Sequence, residues 1–194
     1  MIRRADICDV PTLGQIINDA AEYGLMLHRS PSYLYENMRD FHVAVEEKDA
    51  GQLIVGVCGL KIVWANLAEL YALVIRPDQR GKGLGKQLVA TCIHEAEMLG
   101  IRQVMALTYE RIFFEKLNFR ILDREQLPLK VWSECVRCSK NQSCDEIAMV
   151  RVLEQVPEIQ TLHQPDQPPP NQYIVPTTIE NQSLQDRRKM DEAE

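Results

Sequence analysis

The chain has 194 residues, 45% of them hydrophobic, and carries 22 Lys and Arg against 28 Asp and Glu, a formal net charge of −6. That length suffices for one domain with a sizeable core. The acidic balance argues against a general nucleic-acid binder, and the lack of any apolar run of about 18 residues argues against a membrane-spanning helix.

Ile2 to Ala5 reads as a short strand. Asp6 and Asp9 flank Val10, and Pro11 suits a first helical turn. Leu13, Ile16, Ile17, Ala20 and Ala21 then recur at helical spacing as far as Gly24. A second short helix is predicted from Ser30-Pro31, with Ser30 as N-cap and with Leu34 and Met38 facing inward. Phe41 to Glu46 alternates as a strand, Lys48 to Gly51 turns, and Leu53 to Val63 is a long apolar run rich in β-branched residues. Leu67 to Ile75 is the next strand. Gly83 to Leu99 is a helix with Leu84, Leu88, Cys92, Ala96 and Leu99 on one face, and Gly100 stops it. Gln103 to Thr108 is a strand. Glu110 to Leu117 is a short helix ending at Asn118, a residue that tolerates the left-handed C-cap position. Phe119 to Leu122 is a strand, Leu127 to Cys135 holds a helical turn or two, and Glu146 to Leu153 is the final strand. The order is β-α-α-β-β-β-α-β-α-β-β, an α/β mixture with central hairpins.

The composition changes at Gln155. From there on the chain has no glycine and one aromatic residue, Tyr173. Six of the ten prolines lie there, and seven acids face only Arg187, Arg188 and Lys189. Such a segment buries too little apolar surface to order itself. Residues 1–154 therefore read as the domain and 155–194 as a Pro-rich, mostly disordered tail. The N-terminal Met-Ile-Arg-Arg-Ala-Asp lacks a signal-peptide core, so a cytoplasmic chain with reduced cysteines is expected.

The chemistry concentrates between Leu73 and Lys86. An apolar strand ends at Ile75, Arg76-Pro77-Asp78 breaks it, and glycines alternate at 81, 83 and 85 before a helix begins. The first amides of a helix lack internal partners and carry the positive end of its dipole. Glycines let a phosphate approach them, and Arg80, Lys82 and Lys86 add charge, which points to a diphosphate-binding turn. The spacing supplies neither G-x-x-x-x-G-K-[ST] nor the third glycine of G-x-G-x-x-G. An ordinary strand-to-helix turn is the alternative that the loop alone leaves open.

Arg80-Gly81-Lys82-Gly83-Leu84-Gly85 resembles the [RQ]-x-x-G-x-[GA] acyl-CoA pyrophosphate loop of the GNAT N-acetyltransferases. Phe113-Phe114-Glu115-Lys116-Leu117-Asn118-Phe119 resembles that family's F-[YF]-E-K-L-G-F segment, and Gly56-Val57-Cys58-Gly59-Leu60 its I-V-G-x-x-x-L strand. The order of elements is also that of the GNAT fold. The resemblance thus implies a mixed central sheet of about seven strands with flanking helices, splayed at its two central strands. Within the family, Leu25 to Ser30, Asp40-Phe41, Gly59-Leu60-Lys61 and Ala68-Glu69-Leu70 are similar to the acetyltransferase domain of amino-acid N-acetyltransferases of the N-acetylglutamate synthase type. Ala106-Leu107-Thr108 and Leu127-Pro128 fall where that family has L-[ST] and E-L-P. The amino-acid-kinase domain of long synthases has no counterpart here, and Arg137 and Ser139 match the family's late arginine and serine only weakly.

What the resemblance implies is an enzyme that moves acetyl from acetyl-CoA to the α-amine of an amino acid, L-glutamate above all, the first step of arginine biosynthesis. It places pantetheine on the main chain of Leu73, Val74 and Ile75 and the pyrophosphate on Arg80, Gly81, Lys82, Gly83, Leu84, Gly85 and Lys86. It assigns Arg29 and Lys61 to the two carboxylates of the acceptor. The chemistry fits, because a diacid needs two separated cations and arginine grips a carboxylate bidentately. Glu69 matches the family's glutamate and is the candidate general base. The late-helix tyrosine that serves many members as acid is Phe114 here, with Tyr109 and Tyr71 as candidate substitutes. The expected partners are a small amino acid and acetyl-CoA, without nucleic acid or membrane; the oligomeric state is open, and a homo-oligomer is compatible. Rival readings are transfer to another small amine or a protein N-terminus, and a non-catalytic module that senses acyl-CoA or metal.

The six cysteines divide in two. Cys8, Cys58 and Cys92 sit in apolar elements and read as core. Cys135, Cys138 and Cys144 lie close together in a polar loop and are candidate zinc ligands, with a Cys135–Cys138 redox pair or an incidental cluster as alternatives.

Overall fold

The computed structural model describes residues 1–48, 51–128, 131, 138 and 144–158. Their elements are β1 (Ile2–Arg4), α1 (Val10–Glu22), α2 (Pro31–Glu36), β2 (Phe41–Lys48), β3 (Gly51–Trp64), β4 (Leu67–Ile75), α3 (Leu84–Met98), β5 (Gln103–Thr108), α4 (Arg111–Glu115), β6 (Arg120–Ile121) and β7 (Ile147–Val152). Seven strands form one sheet in the order β1-β2-β3-β4-β5-β7-β6. Of its pairings only β4 with β5 is parallel. The mixed sheet and the splay between its central strands are those expected.

The two faces of the sheet are covered by different helices. α1 begins where Asp6 caps a 3-10 turn, Ile7–Asp9, and Pro11 occupies the first turn. Its buried stripe, Val10, Leu13, Ile16, Ile17 and Ala20, packs with Leu34 of α2 on Phe41, Val43, Val45, Val57 and Tyr71. Each fully buried aliphatic side chain here contributes about 1.5–3 kcal/mol relative to exposure. The Arg3 guanidinium donates to both Asp9 carboxylate oxygens, at 2.6 and 3.0 Å, and ties β1 to the start of α1. On the opposite face α3 lays Leu88, Val89, Cys92, Ile93 and Ala96 against Val55, Cys58, Leu60, Leu70 and Val104.

Several local expectations need correction. Cys8 is exposed and not core. It sits in the turn that Asp6 caps, its amide donating to Asp6 Oδ1 at 2.8 Å. Leu99, placed by spacing on the buried face of α3, is 53% exposed because the helix ends one residue earlier. α4 stops at Glu115 and β6 holds only two residues. Asn118 does adopt the left-handed conformation, with φ of +64°. The final apolar stretch runs past β7: Leu153 and Val156 are buried in the α3-side core. Leu127 and Val131 are buried, and the Val131 amide donates to Pro128 O at 2.9 Å, the bond of one 3-10 helical turn in the stretch where a helical turn or two is expected. The rest of that stretch and residues 159–194 of the Pro-rich tail lie outside the described residues.

Candidate functional site

The site begins with a defect in β4. Val57 pairs with Val74 and Gly59 with Tyr71, so Ala72 and Leu73 together face the single residue Cys58. This is a β-bulge, and Ala72 carries it at φ of +50°. Parallel pairing with β5 runs only from Leu67↔Gln103 to Leu70↔Ala106. Beyond that point β4 stays on β3, while Leu107 and Thr108 of β5 stay on β7. The two central strands part, and the β4 edge from Tyr71 to Ile75 borders a cleft of about 460 Å³.

The glycine loop closes one end of that cleft. Arg76 donates its amide to Val55 O at 2.9 Å, and Pro77–Gln79 makes one 3-10 turn. Gly81 and Gly83 stand at φ of +77° and +78°, a region closed to most side chains, with open space where a Cβ would lie. Gly83 caps α3, whose first helical bond runs from the Gln87 amide to Gly83 O at 3.1 Å. The amides of Leu84, Gly85 and Lys86 therefore precede the helix ladder. Arg80 Nε donates to Ile75 O at 3.3 Å and Lys82 Nζ to Gln79 Oε1 at 2.7 Å, which holds two cations over the loop. Gly85, Arg80, Ile75, Val74 and Leu73 all line the cleft. A helix start, two left-handed glycines and surrounding cations fit a diphosphate.

The same cleft is lined by Arg29, Lys61 and Glu69. Lys61 and Glu69 are register partners across β3 and β4, so opposite charges share one face of the sheet. Glu69 lies about 20 Å along β4 from Ile75, so the splay separates the phosphate loop from these three residues. Arg29 comes from the segment between α1 and α2. Its amide donates to Asn18 Oδ1 at 2.8 Å, and Asn18 Nδ2 donates to its carbonyl at 3.0 Å. Its guanidinium lies 4.4 Å over the Tyr33 ring and 5.6 Å from the Tyr71 ring centre. α2 places Tyr33 there because Ser30 caps the helix, its Oγ accepting the Tyr33 amide at 3.2 Å.

Tyr71 does not suit the role of general acid. Its hydroxyl donates to Asp40 Oδ2 at 3.0 Å, and burial together with the Asp40 charge pushes its pKa far above the phenol range. Burial also raises Asp40, while the Tyr71 hydrogen bond and the Lys61 charge oppose that rise. Tyr109 lines the cleft half-buried. Phe114 is buried, packed edge-on between Phe113 and Phe119 with ring centres 5.2 and 5.1 Å away. Sequence reasoning missed Asn18, Tyr33 and Asp40 as neighbours of this end. The cap at Ser30 put Tyr33 one turn inside α2 and beside Arg29, a detectable signal; Asn18 offered none.

Of the three loop thiols, Cys135 lies outside the described residues. Cys144 Sγ is 3.7 Å from Glu146 Oε2, and Cys138 is half-buried. Among the described residues no three His, Cys, Asp or Glu side chains gather in a way that could hold a metal ion. No helix among them is long and apolar enough to cross a membrane.

Comparison with known proteins agrees with this geometry. Residues 13–119 match the model of the acetyltransferase (GNAT) family, a span that runs from within α1 to past α4. An uncharacterized N-acetyltransferase of Chlorobaculum tepidum is 33% identical over 152 residues, 78% of this chain and 96% of that protein. An amino-acid acetyltransferase of Mycobacterium tuberculosis is 29% identical over 71% of this chain and 78% of its own length. The chain spans only 29% of the amino-acid acetyltransferase of Neisseria meningitidis, to which it is 30% identical. Among solved structures, a Mycobacterium tuberculosis protein in complex with CoA and NLQ superposes with a TM-score of 0.68 at 26% identity, covering 79% of this chain and 99% of that one. N-acetylglutamate synthase from Neisseria gonorrhoeae, complexed with coenzyme A and N-acetyl-glutamate, gives 0.67 at 26% identity, over 79% of this chain and 35% of that one. The chain belongs to the acetyltransferase (GNAT) family and is an acyl-CoA-dependent N-acetyltransferase.

Proposed function

We propose that the protein transfers acetyl from acetyl-CoA to the α-amine of a small acidic amino acid, L-glutamate, the reaction that opens arginine biosynthesis. The observation that carries this reading is the pair of cations, Arg29 and Lys61, on the same cleft as Glu69 and the splayed edge of β4. Two further facts support it. An amino-acid acetyltransferase is among the relatives that the chain matches over most of their length. A structural neighbour holds coenzyme A together with N-acetyl-glutamate.

In this reading the pyrophosphate sits on Arg80, Lys82, Lys86 and the amides of Gly81 to Lys86. The pantetheine pairs with the main chain of Leu73, Val74 and Ile75, edge residues that β5 leaves unpaired. Arg29 grips one acceptor carboxylate through its planar fork and Lys61 holds the other as a point charge. Glu69, directly or through water, takes the ammonium proton, and the neutral amine attacks the thioester carbon. A backbone N–H at the splay polarises the carbonyl oxygen, a donor fixed in place before reaction. The C–N bond forms, the C–S bond breaks, and CoA leaves as thiolate to be protonated. No covalent enzyme intermediate is required.

An acceptor screen that reads thiol release tests the proposal. Acetyl-CoA with L-glutamate should liberate CoA, and Arg29→Ala should raise the glutamate KM strongly while leaving the acetyl-CoA KM in place. Turnover on peptide N-termini and not on α-amino acids would replace the acceptor assignment. Zinc at Cys135, Cys138 and Cys144 rests on thiol spacing alone. Element analysis of protein purified without chelators supports it at about one zinc per chain and refutes it at none.

A further inference from the structure

Arg29 enters the cleft from a segment outside the regular elements, on a side chain whose free rotamers are worth about 2 kcal/mol of entropy. A guanidinium left to move would grip a carboxylate weakly. Contacts from three described residues restrain it. Asn18 holds the backbone on both its amide and its carbonyl. The Tyr33 ring, anchored by the Ser30 cap, stacks at 4.4 Å. The Tyr71 ring approaches at 5.6 Å.

Tyr71 is itself immobilised. Its ring fills the space that Gly59, its register partner, leaves empty: a Cβ on Gly59 would lie 2.5 Å from Tyr71 Cε1. Phe41 packs against the ring with centres 5.2 Å apart, and the hydroxyl is tied to Asp40. Asp40 also lies within electrostatic reach of Lys61, so one half-buried carboxylate supports the surroundings of both cations.

We infer that Tyr33 and Tyr71, the latter anchored by Asp40 and accommodated by Gly59, are positioning residues that orient the Arg29 guanidinium for an acceptor carboxylate. The rings restrain the guanidinium through its cation–π contacts, and its N–H donors lie in its own plane, the geometry that a planar carboxylate requires. A lysine at this position has neither the plane to stack nor the fork. The inference rests on the reading of Arg29 as the carboxylate grip, and the experiment separates the two.

The experiment measures acceptor KM, acetyl-CoA KM and kcat for Arg29→Ala, Arg29→Lys, Tyr33→Leu, Tyr33→Phe, Tyr71→Leu, Tyr71→Phe and Asp40→Asn. Binding of L-glutamate to each variant in the presence of CoA is read by calorimetry. Loss of one cation–π contact corresponds to about a tenfold rise in acceptor KM for Tyr33→Leu. The acetyl-CoA KM should hold, and Tyr33→Phe should restore the wild-type value. Tyr71→Phe and Asp40→Asn should raise the acceptor KM by a smaller factor, because the ring stays but loses its tether. Arg29→Lys should be as poor as Arg29→Ala. Tyr71 is buried and its leucine variant is open to misfolding; Tyr33 is half-exposed, so Tyr33→Leu decides the matter at unchanged Tm. A wild-type acceptor KM in Tyr33→Leu, with Arg29→Ala impaired, overturns the inference alone. No effect of Arg29→Ala, or no glutamate binding by the wild type, overturns the reading of Arg29 and the inference with it.

Discussion

Replacing Gly83 and Gly85 with alanine, one at a time, separates the fold's demands on the phosphate loop from the ligand's. Gly83 sits at φ of +78° with nothing within 4 Å of a built Cβ, so alanine there meets no atom but must hold a left-handed backbone. That strain costs about 1–2 kcal/mol, offset by about 0.4–1 kcal/mol from the reduced freedom of the unfolded chain. A net loss of about 1 kcal/mol lowers Tm by about 2–4 °C in a chain of this size. Gly85 is helical, and its Cβ would meet Phe113 Cζ at 3.5 Å, Phe113 Cε2 at 3.6 Å and Ile75 Cγ1 at 3.7 Å, all ordinary contacts. Alanine there gains about 0.5–1 kcal/mol of helix propensity and a few tenths more from packing, so Tm should rise by about 2–4 °C. The added methyl nevertheless stands in the cleft between Ile75 and Phe113, on the path assigned to the pantetheine arm. Both variants should therefore raise the acetyl-CoA KM, Gly83→Ala by turning amides away from the diphosphate and Gly85→Ala by filling the groove. Thermal melting without ligand and acetyl-CoA KM at saturating acceptor are the two readouts. A stabilised Gly85→Ala with a wild-type acetyl-CoA KM would refute the assigned path, and a Gly83→Ala variant with unchanged KM would refute the phosphate role of the loop.

Four further outcomes follow from the same geometry. Glu69→Gln should lower kcat by about 10²–10⁴-fold with little change in either KM. Arg80→Ala should raise the acetyl-CoA KM about tenfold, consistent with loss of one charge-assisted phosphate contact, with the effect shrinking at high salt and the acceptor KM unmoved. Gly59→Ala should cost about 1–3 kcal/mol, read by urea melts, because its Cβ would collide with the Tyr71 ring at 2.5 Å. Asp9→Ala should cost about 2 kcal/mol, since the Arg3 guanidinium loses both hydrogen bonds to that carboxylate. The Arg3 hydrogen bond holds the Asp9 carboxyl below its ordinary value of 3.8. Its stabilisation is therefore complete above that value and is lost as pH falls through the lowered one, so wild type and variant should converge in acid.

The frame of the fold was legible because its signals are local. The stripe Leu13, Ile16, Ile17 and Ala20, the β-branched run of β3 and the stop at Gly100 each depend on residues within one element, and β4 and β5 matched their predicted bounds. The phosphate loop was legible because glycine at 81 and 83 reports a backbone conformation directly. The acceptor end was less so, because it is assembled by long-range placement. Asn18 reaches Arg29 across eleven residues, Asp40 reaches Tyr71 across thirty-one, and no periodicity records either contact. The β4 bulge at Ala72 was hidden for the same reason: a single extra residue shows only when the register against β3 is known. Cys8 misled because its apolar neighbours suggested burial, whereas the Asp6 cap turns it outward.

The central claim is that Arg29 and Lys61 read the two carboxylates of a diacid acceptor. The ratio of kcat/KM for L-glutamate over L-glutamine tests it most directly, because the two acceptors differ only in the charge of the side-chain group. A charge-assisted contact worth about 1.5–3 kcal/mol sets the expected preference for glutamate at about ten- to a hundredfold. Of Arg29→Ala and Lys61→Ala, the variant that removes the cation on the side-chain carboxylate should collapse that preference towards unity, and the other should lower turnover of both acceptors alike. A wild-type enzyme that acetylates the two acceptors equally, or a full preference kept in both variants, would contradict the account.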